Sequence, residues 1–243
     1  MKMTVLVTGA SRGIGKAIAE QFAKEGHSIV INCNKSAEEL MKLKEELETQ
    51  YQVPVLASIG NVGDFSYVEE LFSLITKEFG GVDILINNAG ISHIGLLTDM
   101  KIREWQNLLD INLSSAFYTS KLALPYMLSQ KKGKIINISS VWGNVGASCE
   151  VAYSTSKGGL NTFTKALAKE LAPSNIQVNA ISCGCIDTAM NQCFSKEERL
   201  SLEEEIPAGR FGTPEEVANL VYCIATGHDY MTGQIITLDG GWC

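Results

Sequence analysis

Tyr153 and Lys157 stand four residues apart in the stretch SSVWGNVGASCEVAYSTSKGG, so on a helix they share one face. A phenol with its ordinary pKa of ~10 exchanges protons poorly at neutral pH. A neighbouring ammonium stabilises the phenolate and is expected to bring that pKa down, towards the range where a general acid works best. Ser140 lies earlier, at the end of an apolar run, where its hydroxyl can hydrogen-bond a carbonyl oxygen. These three residue types together suit the protonation of a carbonyl as it is reduced. A Tyr and a Lys four apart are by themselves more often two surface side chains, so the weight rests on what accompanies them.

A glycine-rich turn, TGASRGIG at 8–15, accompanies them. Gly9 permits a tight turn, Gly13 lets backbone approach a pyrophosphate, and Gly15 lets a helix pack closely on a strand. The turn follows the first apolar strand and opens a helix, whose free N–H groups would face phosphate charge. In sites that hold the ribose 2′-hydroxyl of NAD, an acid stands about 20 residues beyond the glycines. Here the second strand ends Ile31-Asn32-Cys33-Asn34-Lys35, with no acid before Glu38. Arg12 in the turn and Lys35, with Asn32 and Asn34 beside it, favour the 2′-phosphate of NADP. The competing reading makes both cations ordinary solvated charges.

The elements that must position these groups alternate along the chain. Apolar runs predict strands at 5–8, 28–32, 53–58, 82–87, 134–139, 176–182 and 234–238. Between them, Ile14, Ala17, Ile18 and Phe22 recur at helical spacing. Ser36 and Glu39 suggest a capping box ahead of Leu40, Leu43 and Leu47. Asp64 is expected to cap a helix with Val68, Leu71, Phe72, Ile75 and Phe79 inward, and Thr213, Pro214 and Glu216 mark another helix start. Long helices are expected near 103–130 and 153–171. Such alternation predicts an α/β fold, a Rossmann-like doubly wound parallel sheet of about seven strands with helices on both faces. It is read as a single domain over 1–243, with a substrate lid near 187–210. Ligands then belong beyond the carboxyl ends of the strands.

Composition narrows the function classes. The chain has 243 residues, 45% hydrophobic and 19% charged, so its core needs no disulfide or metal staple. Its net charge of −7 argues against nucleic acid or an anionic membrane as partner. No apolar run approaches the ~20 residues of a membrane span, and the N-terminus lacks the features of a signal peptide. Seven cysteines (33, 149, 183, 185, 193, 223 and 243) with no C-x-x-C spacing suggest reduced thiols and a cytoplasmic setting. Three scattered histidines suggest no metal site.

Taken together, TGASRGIG (8–15), NNAG (87–90), the Asn112 of DIN, Ser140, Tyr153 and Lys157 resemble the short-chain dehydrogenase/reductase family, and the resemblance covers essentially the whole chain. It implies that Tyr153 gives a proton to the carbonyl oxygen and that Lys157 lowers its pKa and holds the nicotinamide ribose. Ser140 would stabilise the developing alkoxide, and Asn112 would anchor a water in a proton relay. It also implies cofactor contacts from Gly9, Ser11, Arg12, Gly13, Ile14 and Gly15, and from Asn88, Ala89 and Gly90. Asn61 and Val62 match the family's adenine-contacting Asp-Val, with Asn for Asp. Gly184, Ile186 and Thr188 match positions at the nicotinamide carboxamide and phosphate, but Cys183 replaces the usual Pro. The loop thus loses a fixed φ and is expected to be more mobile. Cys183, Cys185 and Cys193 near the mouth admit a redox-sensing role, although small apolar fillers are the favoured reading. A homotetramer built on the long helices is the family's usual assembly.

The substrate is expected between Ser140, Tyr153 and the segment from Met190 to Arg210, with Phe194 and Leu200 as covers and His93 and Trp142 as lining. The best-known relatives reduce 3-oxoacyl groups on the acidic acyl carrier protein, whose docking wants exposed cations. Lys131, with Lys132, stands at one of their two basic docking positions, and Ser174 at the other. A nearer resemblance, in SHIGLLTDM (92–100), SSVWGNVGASCEVAYS (139–154) and TGQIITLDGGWC (232–243), is to the elongation factor P 5-aminopentanone reductases. There Glu150 could meet the amine of the substrate, or it could simply favour the helix macrodipole. The expected activity is an NADPH-dependent carbonyl reductase on a 3-oxoacyl thioester or on that elongation-factor ketone. The alternatives are NAD(P)-linked alcohol oxidation and a non-catalytic dinucleotide sensor.

Overall fold

A computed structural model describes residues 2–191 and 195–243. The apolar runs become seven strands: β1 (Thr4–Val7), β2 (Ser28–Cys33), β3 (Val55–Ile59), β4 (Ile84–Asn87), β5 (Gly133–Ser140), β6 (Ile176–Cys183) and β7 (Ile235–Leu238). They form one sheet in the order β3-β2-β1-β4-β5-β6-β7, parallel throughout. The order reverses between β1 and β4, which opens the crevice where ligands bind in sheets of this kind. The bounds differ from the sequence expectation by one to two residues at several ends.

Alternation along each strand divides the core in two. Val5 and Val7 of β1, Ile29 and Ile31 of β2, and Ile84 and Ile86 of β4 face one side. There they meet α1 (Gly13–Lys24), α2 (Ala37–Tyr51) and, from the end of the chain, the helix Pro214–Gly227. Leu6, Val30 and Leu85 face the other side. They meet α3 (Phe65–Phe79), a helix over Ser115–Gln130 and another over Val151–Leu171. The Rossmann-like arrangement, helices on both faces of a parallel sheet, follows.

The remaining helices complete the numbering. The expected helix near 103–130 is two helices, α4 (Ile102–Leu109) and α5 (Ser115–Gln130), joined by a π turn over Asp110–Ser114. A short α6 (Trp142–Val145) precedes α7 (Val151–Leu171), and α8 (Lys196–Glu205) and α9 (Pro214–Gly227) follow. Asp64 caps α3 by accepting from the Ser66 amide at 3.0 Å. Thr213 and Glu216 form a reciprocal capping box at α9. Ser36 does not cap α2: its side chain makes no capping bond. The chain leaves β2 with Ser36 at ψ 61°, short of the extended conformation of a capping serine, and its amide is bonded to the Cys33 thiol instead. Among the described residues, no helix is long and apolar enough to cross a membrane.

One chain of hydrogen bonds runs between polar side chains across the middle of the sheet. The Thr119 hydroxyl donates to Asn87 Oδ1 at 2.6 Å, and Asn87 Nδ2 donates to Asn137 Oδ1 at 2.8 Å. Asn137 Nδ2 in turn donates to the Thr164 hydroxyl at 2.8 Å. This line ties α5, β4, β5 and α7 together at one level of the sheet. Ser140 ends β5 three residues further along, so the register that fixes Asn137 also fixes Ser140.

Candidate active site

The glycine turn is held from behind by the loop after β4. Asn88 Nδ2 donates to the carbonyls of Thr8 and Gly9 at 2.8 and 3.0 Å. The Thr8 hydroxyl accepts from the Asn88 and Ala89 amides, both at 3.0 Å. Gly9 is left-handed at φ +66°, and a Cβ on it would stand 2.8 Å from the Ala89 Cα. A Cβ on Gly15 would run into the Gly9 carbonyl and Asn88, so α1 packs this closely only because position 15 is glycine.

The residues present fit a dinucleotide. At the start of α1, Arg12 is extended and makes no side-chain cap, and no acid stands in the first turn. The first N–H groups therefore face the crevice beside Ser11 and Ile14 with the dipole's positive end. Thr188 closes the far side, its methyl 3.3 Å from where a Gly13 Cβ would lie. Gly90 leaves a cradle between Asn112 Oδ1 and Lys157 Nζ, which a Cβ would approach to 3.5 and 3.6 Å. Asn61 Oδ1 is folded back on the Gly63 amide at 3.0 Å, and Val62 is buried in the core. Arg12, Asn34 and Lys35 are exposed, and neither cation is in an ion pair among the described residues.

Asn32 differs from its neighbours. Its side chain is buried, and Nδ2 donates to the Gly60 carbonyl at 3.1 Å and the Tyr67 hydroxyl at 2.9 Å. The amide thus clamps β2 to the end of β3. Only its carbonyl serves the turn, by accepting from the Ala10 amide at 2.8 Å.

The candidate proton-handling groups meet beyond the end of β5. Lys157 is 4% exposed and donates from Nζ to the Ile138 carbonyl at 2.8 Å. Its Nζ lies 5.7 Å from the centre of the Tyr153 ring, one helical turn back. The Tyr153 hydroxyl is hydrogen-bonded to Ser140, whose own Oγ accepts from the Trp142 amide at 3.3 Å. Asn112 sits in the π turn with its side chain fully used. Oδ1 accepts from the Ile91 amide at 2.8 Å, and Nδ2 donates to the Ile91 carbonyl at 2.9 Å and to the Ser156 hydroxyl at 3.1 Å. Ser156 passes the contact on by donating to the Tyr153 carbonyl at 2.7 Å. Sequence reasoning did not single out Ser156; its place between Tyr153 and Lys157 was the available signal.

The expected lowering of the Tyr153 pKa is corrected by this geometry. Burial is the larger influence and pushes the phenol up, and the Ser140 bond offsets only part of that. Lys157 turns its charge to the Ile138 carbonyl, and burial pulls its pKa down to about 8. The same desolvation acts on both groups and favours the uncharged form of each. Tyr153 therefore holds its proton at neutral pH, as an acid must.

Comparison with known proteins bears on this constellation. A family model described as short chain dehydrogenase matches residues 3–199. The chain belongs to that family. It is similar to a 3-oxoacyl-[acyl-carrier-protein] reductase of Aquifex aeolicus, 42% identical over 97% of this chain and 95% of that one. A reductase of the same name from Staphylococcus aureus is 41% identical over 99% of each chain. An uncharacterized oxidoreductase of Bacillus subtilis is 37% identical over 100% of this chain and 99% of its own. As a short chain dehydrogenase, the chain is an oxidoreductase acting on CH–OH and ketone groups.

The rim of the dehydrogenase site is more open. Cys183 does not loosen it: the residue is buried at the end of β6, in register with Ser140 on one side and Leu238 on the other. Strand pairing holds position 183 itself, so the loop begins beyond it. Burial holds the Cys183 thiol up at about 12 and that of Cys185 at about 11, which favours the filler reading over redox sensing. Gly184 admits the C-terminal turn, because a Cβ there would stand 2.7 Å from the Asp239 Cβ. Ile186 is buried and bridges Gly212. In the segment expected to form a lid, Arg199 forks onto Asp187 at 2.9 and 3.0 Å, reaches Glu203 at 3.0 Å and stacks 4.6 Å from the Phe211 ring centre. Leu200 is exposed, and Phe194 and Cys193 lie outside the described residues.

His93 and Glu150 are brought to one side of the mouth, because the Gly95 amide donates to the Cys149 carbonyl at 2.8 Å. Burial raises the Glu150 carboxyl, against a hydrogen bond from Trp142. Trp242, which sequence reasoning did not single out, packs on Trp142 with ring centres 4.9 Å apart. Lys131 and Ser174 are neighbours, since Asn175 Nδ2 donates to the Lys131 carbonyl at 3.1 Å. They stand before β5 and β6, whereas Ser140 ends β5, a strand of eight residues. A span of roughly 25 Å therefore separates them from the mouth of the same chain.

Proposed function

We propose that this chain is an NADPH-dependent reductase of 3-oxoacyl thioesters, with acyl carrier protein as the carrier. The observation that carries the reading is Ser140 bonded to a protonated Tyr153, with Lys157 behind it, at the strand end beside the uncapped start of α1. The chemistry supplied by a bound nicotinamide is a hydride for the carbonyl carbon. Ser140 holds the carbonyl oxygen, and Tyr153 gives that oxygen its proton as negative charge develops there. Lys157 stabilises the phenolate left behind. Asn112 and Ser156 fix the turn of α7 that carries Tyr153. The two 3-oxoacyl-[acyl-carrier-protein] reductases named above support the substrate class.

Arg12 and Lys35 support NADP over NAD, since both are exposed and neither has a carboxylate partner among the described residues. The NADP preference is tested by kcat/KM for NADPH and NADH in the parent and in Arg12→Ala/Lys35→Ala. The variant is expected to lose about tenfold or more of the NADPH preference. An unchanged ratio assigns the phosphate to other residues. Tetramer formation belongs with this reading and is supported by the exposed Phe117 and Leu128 of α5.

A second reading, the ketone of an aminopentanone-modified elongation factor P, is favoured by Glu150 at the mouth. NADPH oxidation with acetoacetyl carrier protein and with the ketone-modified factor separates the two. The larger kcat/KM names the carrier.

A further inference from the structure

The direction of the Ser140 O–H depends on what its oxygen accepts. The Trp142 amide donates to Ser140 Oγ at 3.3 Å. A hydroxyl that accepts on that side has its own proton left for Tyr153 and for a carbonyl oxygen. The donor belongs to α6, a single turn of four residues. A turn that short has little stability of its own, so its place depends on what it touches.

Gly143 lies on the backbone of α7, where a Cβ would stand 2.7 Å from the Lys157 carbonyl carbon and 2.9 Å from the Gly158 amide nitrogen. Packing of this kind sets a spacing between helices and leaves their direction open. Asn144 supplies the direction. Its Nδ2 donates to Ser182 Oγ on β6, and its Oδ1 accepts from Asn161 Nδ2 on α7, both at 2.9 Å. Asn144 is exposed, yet both partners are buried, Ser182 at 0% and Asn161 at 6% exposure. Ser182 precedes Cys183, the strand partner of Ser140, and Asn161 follows Lys157 by one helical turn. The bridge is thus anchored in the two elements that flank the chemistry. Asn161 Oδ1 has no hydrogen-bond partner among the described residues, so that buried amide is held through Asn144.

We propose that Asn144 is a positioning residue for the ketone reduction: by bridging Ser182 and Asn161 it holds α6 so that the Trp142 amide keeps the Ser140 hydroxyl aimed at the substrate oxygen. Small errors in the placement of such a donor are costly, because it must meet charge where that charge develops. The inference rests on the ketoreductase reading and adds to it a residue that acts through α6 rather than on the reacting atoms. The competing role is purely structural: the bridge stabilises α6, and Ser140 keeps its aim without it.

The test is a double-mutant cycle on the full chain. Its readout is the rate of NADPH oxidation by acetoacetyl thioester in single turnovers with enzyme in excess, which keeps slow variants measurable. Asn144→Leu keeps the bulk and removes both bonds. It should lose about tenfold of the rate, while the NADPH dissociation constant stays within about threefold of the parent. In a Ser140→Ala background the same substitution should change the rate by less than about twofold, because the group it acts through is gone. Asn144→Asp should recover most of the loss, since a carboxylate accepts from both Asn161 and the Ser182 hydroxyl. If Asn144→Leu does not fold, Ser182→Ala, which cuts one end of the bridge, goes through the same cycle with an expected loss of about threefold. A rate unchanged by cutting the bridge, or an equal loss with and without Ser140, overturns the positioning role while the ketoreductase reading stands. A parent that does not oxidise NADPH with acetoacetyl thioester overturns the ketoreductase reading itself, and the positioning role with it.

Discussion

Around the glycine turn, polar side chains tie one element to another, whereas around the mouth beyond Ser140 and Tyr153 many side chains end in solvent. Asn88, Thr8, Asn87 and Asn137 spend their amides and hydroxyls on strands and helices that are already packed. Ile94, Leu96, Leu97, Val145 and Leu200, by contrast, are exposed around the rim. The first region must hold a cofactor geometry that is the same in every turnover, so its bonds are buried and mutually supporting. The second must accept a variable ligand, so its apolar groups are left outside the core. Substitutions in the two regions should therefore differ in kind.

Gly15→Val puts a side chain into the Gly9 carbonyl and Asn88. It should cost more than about 3 kcal/mol and abolish nucleotide binding, as read by thermal melting and by nucleotide titration. A variant that melts and binds like the parent would show that the turn has slack, and the contrast with the rim would weaken.

Lys157→Met separates activity from stability. Turnover should fall at least ~100-fold, the usual scale for a lost acid–base group. At pH 7 the fold should nonetheless gain about 1 kcal/mol, because an ion buried without a carboxylate partner is removed. The sign follows from the pKa. The folded value of about 8 lies below the ordinary 10.5, so between these limits the unfolded chain binds the proton that the folded chain has released. This group's contribution to stability therefore rises with pH across that window, and the rise should be missing in the variant. Chemical denaturation across the window checks it; parallel curves for the two proteins contradict the buried, strained state of Lys157.

Leu200→Ser marks the small end of the scale. Its side chain is 60% exposed on α8, so stability should change by less than ~0.5 kcal/mol while KM for long-tailed ketones moves. A large loss of stability would place α8 in the core rather than at the rim.

The same contrast explains what the sequence discloses. Val5, Leu6 and Val7 face alternate sides yet are all apolar, and such an unbroken run announces a strand buried on both faces. The strand ends are less legible, because Cys33 joins β2 only through its partner Ile59. The π turn at Asp110–Ser114 leaves no local mark: DINLS reads as ordinary helix, and Asn112 is held there by Ile91, from a different loop. Tyr153, Lys157 and Ser140 are legible because local spacing sets their geometry. The state of Tyr153 is not, since desolvation depends on everything packed around it. Trp142 and Trp242 meet only after the C-terminal turn folds back over Gly184, so neither motif nor period announces the pair.

Delivery of the proton by the Tyr153 hydroxyl to the oxygen of the ketone under reduction is tested by Tyr153→Phe. NADPH oxidation with acetoacetyl thioester should fall by ~100-fold or more, while the NADPH dissociation constant stays within about threefold of the parent. Turnover retained at parent level, with NADPH binding intact, would contradict the assignment.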